Sequence, residues 1–242
     1  MIAPNAEPRR LQSGLHSLES MIHFLTGELD QVNDSNFAQK MDSLYLFADE
    51  LIRQTTDAAT KLYGNPPLCG AGCGHCCCQA LIVSYAEAYH IFCRLNRFSL
   101  LPNILKKSRE RVRLLREKFQ IFPVHMQIDE HQRRYQSHIE KQNRLQLPCI
   151  FLLDNRRCMI YEYRPLTCRD AHVYEGDPVG CGTRRNPVVI ALPLRPVYRL
   201  LAQGLSQKMC KETGGGDLPS ILLGFDMRPS GDHLIPSLSK EI

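Results

Sequence analysis

The chain has 242 residues, of which 43% are hydrophobic, and its formal net charge is +5. This composition excludes an intrinsically disordered chain and suffices for one large or two small domains with a hydrophobic core. No stretch approaches the roughly 20 apolar residues that cross a bilayer, and the first ten residues lack the apolar region of a secretory signal. We therefore expect a cytoplasmic protein, whose eleven cysteines serve metal binding or redox chemistry rather than a disulfide framework.

Two amphipathic helices are predicted at the start of the chain. Apolar residues recur at spacings of three and four from Leu11 to Leu29, and a second apolar stripe runs from Leu44 to Leu62. Turn-forming residues at 33–36 separate the stripes, and Gly64 ends the second one. The simplest arrangement is a helical hairpin over 1–66 that packs on the rest of the fold.

The most unusual feature follows this hairpin, because five of the ten residues in 69–78 are cysteines. Thiolates are soft donors that hold zinc or iron–sulfur clusters, and side chains in so dense a run cannot all face one core. Four more cysteines follow at Cys149, Cys158, Cys168 and Cys181. We interpret the two groups as halves of one metal or cluster site that folding brings together.

The tetrapeptide Cys73-Gly74-His75-Cys76 also has the form of the dithiol site of disulfide isomerases. A thioredoxin-like site follows an apolar strand and opens a helix in a βαβ unit, whereas here a segment rich in proline and glycine precedes the cysteines. Thiol–disulfide exchange by Cys73 and Cys76 is therefore an alternative to metal binding.

Three or four helices are predicted between the two cysteine groups. Ser84 and Glu87 have the spacing of a capping box, Pro102 stands at the start of a second helix, and the polar run 129–144 indicates a third. The segment 103–145 contains eleven Lys and Arg residues against five acids. Because the acids are interleaved, we interpret these charges as solvated helix faces rather than as a nucleic-acid surface.

The remainder of the chain is predicted to be irregular before one last helix. Residues 148–193 alternate short apolar pieces with Pro and Gly, and a helix that starts at Pro196 ends at a run of three glycines. The predicted fold class is mainly α, a helical bundle with an irregular cysteine-rich loop region that closes over a metal or cluster site. Its predicted parts are the N-terminal hairpin over 1–66, a cysteine-cluster metal-binding domain over 67–213 and a C-terminal tail over 214–242.

Three segments around the cysteines carry a family resemblance. They are Cys-x3-Cys-x2-Cys-Cys in 69–77, Pro-Cys-Ile-Phe-Leu at 148–152, and Cys-Met-Ile-Tyr-Glu-Tyr-Arg-Pro-Leu-Thr-Cys-Arg at 158–169. With Cys181 behind them, they resemble the YkgJ-type cysteine-cluster family, whose members are described as zinc- or iron-chelating or as Fe–S-cluster proteins. The first spacing departs from the family, which usually has x2. Carried over by position, the resemblance implies the metal ligands Cys69, Cys73, Cys76, Cys77, Cys149, Cys158, Cys168 and Cys181.

Two arginines close to the second group are predicted to stabilise the site. Several thiolates around one metal carry excess negative charge, which cations near the sulfurs would balance. Arg164 and Arg169 have that position in the sequence, and the alternative for each is a surface ion pair.

The resemblance favours an iron–sulfur cluster over zinc, in a protein with a structural, electron-transfer or accessory role. A related cysteine motif occurs in flagellin lysine N-methylases, so a protein-modifying enzyme is the alternative that the resemblance implies. We expect a metal ion or cluster as the ligand and a protein as a further partner, with neither membrane nor nucleic-acid binding.

Overall fold

The computed structural model describes residues 22–23, 27, 31–70, 72–122, 125–126, 132–169, 171–175, 188–191, 197, 200–211 and 213–227. Its helices within these residues are α1 (Phe37–Tyr63), α2 (Tyr85–Arg97), α3 (Leu101–Phe119), α4 (Gln132–Arg144), α5 (Ser206–Cys210) and α6 (Leu218–Asp226). Its strands are β1 (Ile82–Ser84), β2 (His125–Met126), β3 (Ala171–Glu175), β4 (Val188–Ala191) and β5 (Gly215–Asp217). The predicted mainly helical fold class is thus confirmed.

Helix α1 is the second of the two predicted N-terminal helices. One of its faces is buried in the core through Phe37, Met41, Leu44 and Leu51, as the apolar spacing indicates. It ends at Gly64, whose φ of 77° gives the left-handed cap that glycine adopts without strain. The predicted helix before it lies outside the described residues except at 22–23 and 27, which are helical.

Helix α2 begins with the predicted capping box. The Glu87 N–H donates to the Ser84 hydroxyl, and the Glu87 carboxylate accepts from the Ser84 N–H, both at 3.2 Å. This exchange satisfies donors that the first turn of a helix leaves unpaired. Ile91 and Leu95 then face the core from the same helix.

Strand β5 is the centre of a three-stranded antiparallel sheet in the order β1–β5–β2. Val83 of β1 lies opposite Gly216, and Ser84 lies opposite Gly215. A Cβ at Gly215 would overlap the Val83 carbonyl, so only glycine allows the two backbones to come this close. A second sheet pairs β3 with β4.

The first part of the segment predicted as a C-terminal tail forms a strand and a helix, which end at Asp226. Its first part forms β5, and α6 then packs on α3 and α2 with Leu218, Ile221, Leu222 and Phe225 buried. Glycine runs commonly end helices, but here the run also builds the middle strand of a sheet. The apolar residues after it therefore belong to the core.

The last predicted helix is present in a less regular form. A π-helical turn at Leu201–Leu205 leads into α5, which packs against α2. The Ser206 hydroxyl accepts a hydrogen bond from the Ala86 N–H at 3.0 Å and donates one to the Leu201 carbonyl at 2.8 Å. This residue thus ties the irregular turn to the start of α2.

A single hydrophobic core joins α1 to the region of the second cysteine group. It includes Phe151, Ile160 and Leu166, which are buried together with the apolar faces of α1 and α2. The cysteine-bearing loops are therefore anchored on the helices by buried side chains. No helix in the described part of the chain combines the length and apolar character that crossing a membrane requires.

Candidate metal centre

The first cysteine group lies on a loop that two glycines shape. Gly72 and Gly74 have φ values of 90° and 65°, in the left-handed region that favours glycine. The Cys73 N–H closes this turn with a 3.1 Å hydrogen bond to a backbone carbonyl. A Cβ on Gly74 would lie 3.4 Å from Arg156, so the loop rests against the 152–158 turn of the second group.

Cys76, Cys77 and Cys78 form a 3₁₀ turn directly after this loop. Cys76 is exposed, whereas its two neighbours are half-buried. A side-chain hydrogen bond with Cys77, followed by burial, raises the pKa of the Cys76 thiol. The first residue of the turn is therefore more open to solvent than the other two.

The second group is carried by a tight turn and two short 3₁₀ turns. The Leu153 N–H donates to the Arg157 carbonyl at 2.9 Å, and the Met159 N–H donates to the Phe151 carbonyl at 2.8 Å, which places Cys158 at the end of the turn. The 3₁₀ turns Tyr161–Tyr163 and Leu166–Cys168 follow.

The backbone joins the two groups directly. The Cys149 N–H donates to the Cys77 carbonyl at 2.6 Å. Electrostatic interactions also link the thiols of Cys76, Cys149, Cys158 and Cys168 to one another. The structure thus brings one thiol of the first group close to three of the second.

Burial favours the neutral form of these thiols. Burial raises the pKa of Cys149 to about 12, and it also raises the pKa values of Cys158 and Cys168. Each neighbouring thiol raises the pKa further, because a second negative charge close by is unfavourable. A metal that binds here must displace thiol protons.

Arg164 supplies positive charge to this set. Its guanidinium stacks on the Tyr161 ring at 4.1 Å from the centroid, and it lowers the pKa values of Cys76, Cys158 and Cys168. Its Nε atom is buried without a hydrogen-bond partner among the described residues. A buried donor of this kind costs free energy unless it meets an acceptor.

Arg169 has a different setting from Arg164. It is 2% exposed, and it donates to the Arg164 carbonyl at 2.9 Å, to the Glu162 carbonyl at 2.6 Å and to the Asp49 carboxylate. Its guanidinium also lies 4.8 Å from the centroid of the Tyr45 ring. Its hydrogen bonds hold the backbone of the 162–169 turns rather than a sulfur, although its charge also lowers the pKa of Cys158.

The eight predicted ligands have different places in the structure. Five of them interact with one another as described above, namely Cys76, Cys77, Cys149, Cys158 and Cys168. Cys69 and Cys73 lie on the loop before the 3₁₀ turn, and Cys181 lies outside the described residues. No three His, Cys, Asp or Glu side chains within the described residues are arranged closely enough to hold a metal ion. Metal binding through these thiols would therefore require them to move closer together.

Two residues that support the site were not predicted for that role. Arg111 of α3 donates to the Leu147 and Pro148 carbonyls at 3.4 and 3.3 Å, directly before Cys149. Its charge also lowers the pKa of Cys149. Glu87 accepts a hydrogen bond from the Leu166 N–H in the turn that ends at Cys168. In the sequence, Arg111 is one cation of the basic segment and Glu87 is only a helix cap.

Comparison of the chain with protein-family models, curated proteins and solved structures found no match.

Proposed function

We propose that the protein binds a metal centre through Cys76, Cys149, Cys158 and Cys168, with an iron–sulfur cluster as the first candidate and zinc as the second. The observation that carries this proposal is that four thiols from two distant segments interact with one another, and that three of them also interact with Arg164. Four thiolates match the ligand number of a tetrahedral zinc site or of an iron–sulfur cluster.

Charge and hydrogen bonding also support the proposal. Thiolates around a divalent metal or a cluster carry net negative charge, which the Arg164 guanidinium would balance. The buried Nε atom of Arg164 has no partner among the described residues, and a thiolate sulfur would give it an acceptor. Arg111 would balance charge at Cys149.

Once bound, a metal would cross-link the two loops and, if it is a cluster, exchange electrons. Folding places the four thiols within electrostatic reach of one another, so binding has to draw them closer and release the thiol protons. A structural, electron-transfer or accessory role in the reducing cytoplasm, and membership of the YkgJ-type family, are parts of the same proposal.

The geometry supports thiol–disulfide exchange at Cys73 and Cys76 less well. An oxidising dithiol needs a thiol whose pKa is lowered, commonly at the start of an α-helix. Cys76 instead starts a three-residue 3₁₀ turn, and its pKa is raised. A protein-modifying enzyme remains a prediction from the family resemblance.

The test is anaerobic purification followed by metal analysis. Iron with matching acid-labile sulfide and a broad visible absorption supports the cluster, and stoichiometric zinc in a colourless protein supports the second candidate. Cys149→Ser and Cys158→Ser should each lose the metal, whereas Cys93→Ser, a half-buried thiol of α2, should retain it. Protein that contains neither metal, or full metal content in both site variants, would refute the proposal.

A further inference from the structure

The exposed end of the cysteine cluster contains two adjacent thiols. Cys76 and Cys77 are consecutive residues of one 3₁₀ turn, neither is in a disulfide, and their side chains are hydrogen-bonded. Cys76 is exposed and Cys77 is half-buried, so a small molecule can reach the pair from solvent.

Cys78, the third cysteine of the turn, has a different interaction partner from the other two. Cys78 interacts electrostatically with Arg111 of α3, while Cys77 contacts Cys76. The turn therefore offers one dithiol, made of Cys76 and Cys77, and not three equivalent thiols.

Two adjacent thiols at the exposed end of the cluster suit a particular chemistry. Divalent zinc takes about four ligands, and no three suitable side chains among the described residues are arranged to hold a metal ion. A trivalent arsenic atom with one organic substituent needs only two further bonds, and it prefers sulfur because both atoms are soft. An adjacent pair of thiols can supply both bonds in one small ring.

We propose that Cys76 and Cys77 form a capture site for organic trivalent arsenicals that carry two exchangeable oxygen substituents. Both thiol protons leave with the arsenical oxygens as water, two As–O bonds break and two As–S bonds form. Arsenic stays trivalent and the sulfurs keep their oxidation state, so the step needs neither an oxidant nor a reductant. The inference goes beyond the proposed metal centre, with which it shares Cys76 but not Cys77.

The experiment uses the full chain, kept reduced with a phosphine, and phenylarsine oxide as the probe. One equivalent should be retained, as measured by mass spectrometry of the intact protein after challenge with graded ethanedithiol. Cys77→Ser should need about a hundredfold less dithiol for release, because the second As–S bond forms intramolecularly. Cys78→Ser, the matched control in the same turn, should behave like the parent protein.

Two results would overturn the inference: undiminished retention by Cys77→Ser, or equal loss in Cys78→Ser. Far-ultraviolet circular dichroism of each variant separates loss of capture from loss of fold, and Cys77→Ala provides a second substitution at the same position.

The outcome can be read separately from the metal proposal. Cys149→Ser should lose metal and still capture the arsenical, whereas Cys77→Ser should lose capture and keep its metal. Arsenical binding by a parent protein that contains no metal would support the inference and count against the metal proposal only. A protein that contains metal but does not retain the probe after metal removal would support the metal proposal and contradict the arsenical inference.

Discussion

The Glu87 carboxylate accepts a hydrogen bond from the backbone N–H of Leu166, with its Oε1 atom 2.8 Å from the nitrogen. Its Oε2 atom accepts from the Ser84 N–H at 3.2 Å and from the Ser84 hydroxyl at 2.8 Å. The carboxyl is buried, and burial raises its pKa. One side chain thus caps α2 and also holds the turn that ends at Cys168.

Replacing Glu87 with Leu should lower the free energy of unfolding by about 2–4 kcal/mol, because it removes a helix cap and leaves buried donors without an acceptor. Glu87→Gln keeps a carbonyl oxygen and should lose about half as much. Urea denaturation measures both changes. Glu110→Gln, on the exposed face of α3, is the control and should stay within about 0.5 kcal/mol of the parent protein. Parent-like stability of Glu87→Leu would show that the contact with Leu166 contributes nothing.

Local features of this fold could be predicted from the sequence, and the distant contacts could not. The capping box depends on two residues three positions apart, so its pattern is visible in Ser84 and Glu87. The bond from Glu87 to Leu166 joins residues 79 positions apart, and no local pattern indicates it. The glycines at 214–216 predict a helix end, whereas the structure has a strand at Gly215–Asp217. Sequence alone does not distinguish the two, since a helix end and a close approach of two strands both favour glycine.

The cysteine site likewise combines features that the sequence predicts with contacts that it does not predict. Thiol chemistry predicts that the two cysteine groups meet, and the Cys149 N–H bond to the Cys77 carbonyl shows that their backbones do. Which arginine would lie beside the sulfurs depends on side-chain direction after folding. Arg164 and Arg169 were equivalent in the sequence, but only Arg169 has backbone carbonyls as its main hydrogen-bond partners in the structure.

Gly215→Ala should destabilise the fold by about 3 kcal/mol, because the added methyl group overlaps the Val83 carbonyl and must push β1 and β5 apart. Thermal unfolding followed by circular dichroism measures the loss. Gly70→Ala is the matched control, since a Cβ there meets nothing within 4 Å, and it should change stability by less than about 0.5 kcal/mol. Equal melting temperatures for the two variants would contradict the close approach of the strands.

Arg169→Lys should cost about 3 kcal/mol, because one ammonium group cannot replace a buried guanidinium that donates to two backbone carbonyls and to the Asp49 carboxylate. The control is Arg53→Lys on α1, whose ion pairs with Glu50 and Asp57 are exposed and therefore contribute little to stability. Chemical denaturation of both variants tests the difference. A similar small loss in each would mean that Arg169 does not organise the 162–169 turns.

His90 should make the protein less stable in mild acid. It is buried, and burial lowers its pKa from 6.5 to about 4, although Asp42 at 3.1 Å opposes the shift. The unfolded chain therefore binds a proton at a higher pH than the folded protein does, so stability is lost as the pH falls from 6.5 towards 4. The expected loss between pH 7 and pH 5 is about 2 kcal/mol.

His90→Phe should remove this pH dependence, because phenylalanine fits the aromatic surroundings and does not titrate. The rings around His90 are those of Phe37, Tyr45 and Tyr163. Urea denaturation at the two pH values measures the effect, and His23→Gln, at an exposed histidine, should leave the slope unchanged. An unchanged slope in His90→Phe would assign the acid sensitivity to other groups.

Arg164→Gln should weaken metal binding without unfolding the protein. Its charge lowers the pKa values of three thiols in the proposed centre, so its loss makes those thiols harder to deprotonate. We expect metal affinity to fall about tenfold, and the pH at which metal is half-released to rise. Competition with a chelator across a pH series measures both quantities. Arg157→Gln, at an exposed arginine of the preceding 152–158 turn, is the control and should match the parent protein. If Arg164→Gln kept the parent affinity at every pH, the guanidinium would have no part in balancing the charge of a metal–thiolate centre.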